Sequence, residues 1–236
     1  MTPRPTPNLP KRLLVINPNT NARVTGLIDG VARRLAVPDV VIKVVNPATG
    51  PLSIETLADR AAAEPNVIDI VRAACRAGEQ GFVLACFDDI GVAEARRLAA
   101  GPVLDACEAA IMAARCLTDR FAIVTTVEGA VDRIRRHAVV YAGTASCTVR
   151  AAGIGVADAA AGVGAERLDG AITAALEDDG AKAIILGSGG LAGRADELSR
   201  RFKVPVIDGV AAAISLCQGV LRMDLDLDRS DSPVRR

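Results

Sequence analysis

Val83-Leu84-Ala85-Cys86, then fifteen residues to Pro102-Val103-Leu104-Asp105-Ala106 and on to Glu108-Ala109-Ala110-Ile111, has a counterpart later in the chain. There Ile185-Leu186-Gly187-Ser188 leads, after sixteen residues, to Pro205-Val206-Ile207-Asp208-Gly209 and then Ala211-Ala212-Ala213-Ile214. Each copy reads as a strand, a turn, a short helix, a second strand and an Asp placed to cap the next helix. The openings repeat more loosely, Leu14-Val15-Ile16-Asn17 against Ala122-Ile123-Val124-Thr125. Two copies of one supersecondary plan follow, from about Leu13 to Ile111 and from Phe121 to Ile214.

Around these motifs, short β-rich runs alternate with Ala/Arg/Glu-rich helical patterns. The strand candidates are Leu13–Ile16, Val40–Val45, Gly81–Ala85, Phe121–Thr125, Ala183–Leu186 and Val204–Ile207. Helical spacing marks Val67–Ala77, Val92–Ala99, Asp105–Cys116, Arg167–Asp178 and Ala195–Phe202. Continuous apolar strands separated by helices belong to parallel sheets covered on both faces. The fold class expected is therefore α/β, as two similar lobes with parallel four-stranded sheets flanked by helices. A pseudo-twofold relates the lobes and leaves a cleft between them. Residues 11–106 with 208–224 are assigned to the first lobe and 107–207 to the second. Residues 1–10 and 225–236, Pro-rich or charged, are expected to be flexible tails.

Composition narrows the function classes. The 236 residues are 50% hydrophobic, and 28 Lys plus Arg balance 28 Asp plus Glu. No basic excess points to nucleic acid or to an anionic membrane surface. Met1–Pro10 lacks the apolar core of a signal peptide, and no apolar stretch approaches the roughly 18 residues of a membrane span. Six cysteines at 75, 86, 107, 116, 147 and 217 form no C-x-x-C pair, which suits reduced thiols in the cytoplasm. His137 stands alone, so a His-based metal site or a Ser-His-Asp triad has little to build on. The Gly187-Ser188-Gly189-Gly190 stretch has neither dinucleotide nor P-loop spacing.

Ligands of open α/β sheets bind beyond the carboxyl ends of the strands. Asn17, Cys86, Thr125 and Ser188 all fall at such ends. If the lobes face one another, Cys86 and Ser188 approach one cleft from opposite sides. A stereocentre between them could lose a proton to one group and regain it from the other. Backbone N–H groups after each could stabilise negative charge that develops on such a ligand.

The chain resembles the Asp/Glu/hydantoin racemase superfamily, in its hydantoin and allantoin racemase branch. The stretches that carry the resemblance are Val15-Ile16-Asn17-Pro18-Asn19-Thr20, Gly50-Pro51-Leu52-Ser53-Ile54-Glu55, Ala85-Cys86-Phe87-Asp88-Asp89 and Val124-Thr125-Thr126, followed by Leu186-Gly187-Ser188-Gly189-Gly190 and Val204 to Ala213. They run in order over nearly the whole chain. The resemblance implies cofactor-independent racemisation by two thiols acting on opposite faces of a hydantoin-type small molecule, in a homo-oligomer.

One position departs from that pattern. The family's second motif reads Gly-Cys-Ala-Gly, and here Ser188 and Gly189 replace its Cys and Ala. A thiol, with a reference pKa of ~8.5, exchanges protons near neutrality, whereas an alkanol needs an activating partner. The chain as written is expected to racemise poorly. Ser188 is either a substitution introduced into the motif or the mark of a branch with one-sided chemistry.

Cys86 and Ser188 are thus the catalytic candidates, Cys86 placed ahead of a helix N-terminus able to stabilise a thiolate. Asn17, Thr49, Ser53, Phe87, Thr125, Thr126, Gly187 and Gly189 are the substrate-binding candidates. Asp88 and Asp89 read as helix caps, and Arg133, Arg135, Arg136 and His137 as a solvated helix face. The five other cysteines read as structural. An arylmalonate-type decarboxylase using one thiol, and a non-catalytic hydantoin-binding protein, are the alternatives.

Overall fold

The computed structural model describes residues 9–223 and Leu225. The expectation for tails at 1–10 and 225–236 falls almost wholly outside these residues.

The first half runs β1 (Lys11–Ile16), α1 (Ala22–Leu35), β2 (Val40–Val45), α2 (Leu57–Arg76), β3 (Gly81–Leu84), α3 (Val92–Leu98), β4 (Val103–Asp105) and α4 (Ala106–Arg115). The second runs β5 (Arg120–Thr125), α5 (Val131–Ala142), β6 (Ser146–Ala151), α6 (Val156–Ala160), α7 (Ala165–Glu177), β7 (Ala183–Leu186), α8 (Ala195–Phe202), β8 (Val206–Asp208) and α9 (Gly209–Arg222). Each half forms a four-stranded parallel sheet, in the order β2-β1-β3-β4 and β6-β5-β7-β8. The registers match as well. Ile16 pairs with Leu84 where Val124 pairs with Leu186, and Asp105 and Asp208 end the same edge.

Alternate strand residues face two different layers. Leu13, Val15 and Val83 join Phe121, Ile123 and Ile185 in one core that runs through both halves, with α1, α4, α5 and α9 between the sheets. Leu14, Ile16, Phe82 and Leu84 turn outward onto α2 and α3. Ala122, Val124, Ile184 and Leu186 turn outward onto α7 and α8. Burial on both faces explains why these strands are apolar without alternation.

The last helix of each half crosses over. Helix α9 lies on β1, β3 and β4 of the first sheet, while α4 packs beside β7 and β8 of the second, and the two helices meet. Asp105 and Asp208 cap them, accepting hydrogen bonds from Glu108 N–H at 2.8 Å and Val210 N–H at 2.9 Å. This exchange supports our proposal of 11–106 with 208–224 as one lobe and 107–207 as the other. Among the described residues no helix is long and apolar enough to cross a membrane.

Candidate active site

The carboxyl ends of β1, β3, β5 and β7 open into one cleft between the lobes, about 460 Å³ including its open mouth. Cys86 and Ser188 both line it, two residues beyond the ends of the equivalent strands β3 and β7. Phe87, Thr125, Thr126, Gly187 and Gly189 line it too. Thr125 donates its hydroxyl to the Gly187 carbonyl at 3.0 Å, tying the tips of β5 and β7 together. Ser188 Oγ accepts from Gly190 N–H at 3.3 Å and lies 3.5 Å from the Thr126 hydroxyl.

Other candidates lie elsewhere. Asn17 is buried beneath the cleft. Its amide donates to Asn19 Oδ1 and to Thr25 Oγ1, both at 3.0 Å, so it shapes the turn that carries Pro18 and Asn19 into the lining. Thr49 is exposed on a loop held by Thr20 N–H at the Pro51 carbonyl, 3.0 Å, and neither Thr49 nor Ser53 lines the cleft. The next residue, Ile54, does. A short apolar side chain in a loop carries little sequence signal, and the same holds for Val127, Ala130 and Val156 on the opposite wall.

The charged residues also need correction. Asp89 accepts from Val92 N–H, the first of α3, at 3.1 Å, although the cap position itself is held by Gly91. Asp88 instead forms a buried ion pair with Arg133 across the two lobes, Nε to Oδ1 at 3.1 Å and Nη2 to Oδ2 at 3.0 Å. Arg133 also donates to the Glu55 carbonyl at 3.3 Å, and Glu55 Oε1 accepts from Val156 N–H at 2.9 Å. Of the helix face expected to be solvated, Arg135 and Arg136 are exposed. Arg133 and His137 are turned inward, His137 Nε2 lying 3.3 Å from Asp105 Oδ2. Spacing of four put Arg133 and His137 on one face; it could not say which.

The helix after Cys86 begins only at Val92, too far away to act on the sulfur. Burial pushes the Cys86 thiol up to about 12, and the charges of Asp88 and Asp105 push the same way. Backbone N–H groups of Asp88 and Phe87 oppose them by bonding the sulfur. At neutral pH the thiol is therefore protonated. Burial lowers His137, but its hydrogen bond to Asp105 and the charges of Asp105, Asp89 and Asp88 outweigh that and raise it. Asp105, Cys107 and His137 hold their donor atoms within 4.8 Å, the one such group among the described residues. Asp105 is already engaged by His137 and by Glu108 N–H.

The sequence model of the Asp/Glu/hydantoin racemase family matches residues 13–217. The chain belongs to this family. A hydantoin racemase of Rhizobium meliloti is 36% identical over 212 residues, covering 88% of this racemase-family chain and 87% of that protein. The solved allantoin racemase of Klebsiella pneumoniae is 38% identical, with a TM-score of 0.86 over 94% of this chain and 91% of that one. Arylmalonate decarboxylase, at 20% identity and a TM-score of 0.62 over 92% of this chain and 94% of that one, shares the fold alone. The racemase reading is thereby favoured over the decarboxylase.

Proposed function

We propose that this chain acts on 5-substituted hydantoins, allantoin among them, removing and returning the C5 proton without a metal or organic cofactor. The observation that carries the proposal is that Cys86 and Ser188, at equivalent positions of the two lobes, line one cleft. A planar enolate held there presents one face to the thiol and the other to the hydroxyl.

The two groups do unequal work. As a thiolate, Cys86 takes the C5 proton from the enantiomer that presents it, and the resulting thiol is an acid able to give it back. Among the described residues Ser188 is bonded to no base: its partners, the Thr126 hydroxyl and Gly190 N–H, are hydrogen-bond donors. It can hold the substrate and stabilise charge, but it cannot start the reaction from its own face. The Asn19, Thr125 and Thr126 side chains supply polar contacts for a ring imide. A cytoplasmic location and a homo-oligomeric state belong to the same reading.

The test is C5 proton exchange in D₂O, with each enantiomer of allantoin and of benzylhydantoin, for this chain and for Ser188→Cys. One enantiomer is expected to exchange with retention in the chain as it stands. Ser188→Cys is expected to racemise both enantiomers, with a gain of about a hundredfold or more, the usual worth of a positioned acid/base group. Because the Cys86 thiol lies far above neutrality, exchange should climb about tenfold per pH unit from 7 to 10 without a plateau. Equal exchange and inversion of both enantiomers by the unaltered chain would overturn the one-sided reading. Tight hydantoin binding with no exchange in either protein would favour the binding-protein alternative.

A further inference from the structure

Helix α5 belongs to the second lobe, yet its two inward-turned basic residues, Arg133 and His137, meet the two first-lobe carboxylates whose charges act on Cys86. Arg133 grips Asp88, two residues after the thiol, through Nε and Nη2. One turn on, His137 meets Asp105, which closes β4 beside Leu84 of the Cys86 strand. Both pairs are nearly closed to solvent, with side-chain exposures of 12% and 7% for Arg133 and Asp88 and 13% and 1% for His137 and Asp105.

We propose that Arg133 and His137 are positioning residues for Cys86: α5 holds Asp88 and Asp105 in place and offsets their charge, so that the thiol can ionise. The inference rests on Cys86 being the acid/base group of the proposed reaction.

Two physical effects act through Asp88. Its carboxylate opposes a thiolate, while its own backbone N–H favours one by bonding the sulfur. A buried carboxylate is tolerable when paired, and the pair's field at a third atom is much weaker than that of the lone charge. Arg133 therefore leaves Asp88 its helpful N–H and offsets part of its charge. The fork also holds the 87–88 backbone, because the Nη2 that bonds Asp88 donates to the Glu55 carbonyl as well, while Nη1 donates to the Gly129 carbonyl. Asp59 lies close enough to feel Arg133 as well.

His137 does the same for Asp105 in a pH-dependent way. The groups around it are Asp105 on β4, Asp88 and Asp89 on the loop after β3, Cys107 and Glu108 on α4, and the Tyr141 ring on its own helix. Glu108 is itself engaged by Arg96. When His137 loses its proton, Asp105 keeps a hydrogen-bond partner but loses the offsetting charge.

Reaction with methyl methanethiosulfonate, followed by the mass of the Cys86 peptide from pH 7 to 10, reads the thiol without any hydantoin. Failure of the substrate assignment therefore leaves this experiment standing. Arg133→Gln is expected to slow Cys86 labelling about tenfold at a given pH, equal to a one-unit upward shift of its profile. Asp88→Asn should speed it by a similar factor. The double variant should return to within about threefold of the parent, and Arg133→Lys should recover part of the loss. His137→Gln should slow labelling at pH 7 and converge on the parent by pH 9.

Opposite shifts from the two members of one ion pair are not produced by loosened packing, which would expose the thiol in both. Single variants that shift the profile in the same direction, or a folded Arg133→Gln protein with the parental profile, would overturn the proposal. If a single variant does not fold, the double variant, with no buried charge left alone, still decides: a tenfold change in it is fatal to the idea. A His137→Gln effect that persists at pH 9 would remove His137 from the assignment.

Discussion

Gly187 and Gly189 flank Ser188, and the space around their missing side chains differs. A Cβ on Gly187 would fall 2.6 Å from Ile123 Cγ2 and 3.3 Å from the Val124 carbonyl, both part of a fully packed strand. A Cβ on Gly189 would meet nothing closer than 3.5 Å, against the Ala85 carbonyl and Val24. Gly187→Ala is expected to cost about 1–3 kcal/mol by overpacking. Gly189→Ala should stay within about 0.5 kcal/mol of the parent. Urea midpoints of the two variants measure both, and a Gly189→Ala loss as large as that of Gly187→Ala would contradict the geometry. The result bears on chemistry as well. An alanine at 189 fits this backbone, so the space around Gly189 does not require a glycine after Ser188.

At the scale of elements, α2 shows what local chemistry decides. Thr56 Oγ1 accepts from Asp59 N–H at 3.1 Å and Asp59 Oδ2 accepts from Thr56 N–H at 2.9 Å, a closed capping box. The helix then runs to Arg76 in spite of Pro65. Thr56→Ala should lower stability by about 1 kcal/mol, read from thermal unfolding, and a gain in stability would show that the cap is not holding the helix. The sequence pattern placed this helix at Val67–Ala77, which leaves out the turns up to Pro65, and a proline inside a helical run ordinarily ends it. Here tertiary contact of Ala63 and Val67 with the outer core outweighs that cost. Strand β6 was missed for a related reason. Ser146–Ala151 is an edge strand with Val149 its only fully buried residue, so Ser, Thr and Arg dilute its apolar signal. Central strands were legible because both of their faces are buried. The repeat made Cys86 and Ser188 legible as a pair. Arg133, Ile54 and Glu55 were not legible as site residues, since their roles arise only when the lobes meet.

The molecule as a whole carries a store of buried and half-buried thiols. Burial raises Cys86 and Cys217 to about 12, Cys147 to about 11 and Cys107 well above its ordinary value. The sign follows from linkage: between about pH 9 and the raised folded values, the unfolded chain has lost protons that the folded chain keeps. Stability contributed by each thiol is whole below pH 9 and falls above it, at about 1.4 kcal/mol per pH unit for each group. Denaturant midpoints at pH 8, 9 and 10, with a reductant present, should fall ever more steeply. A flat response would mean that the thiols ionise in place.

The crossing of α4 and α9 also sets an order of events during synthesis. One face of the first sheet is finished by residues 209–222, near the end of the chain. While the ribosome makes everything after β4, Leu13, Val15 and Val83 have α1 beside them but wait for the rest of their cover. A nascent chain stopped anywhere before residue 209 carries that face covered by α1 but not by α9, and quality-control machinery meets it as an unfinished protein.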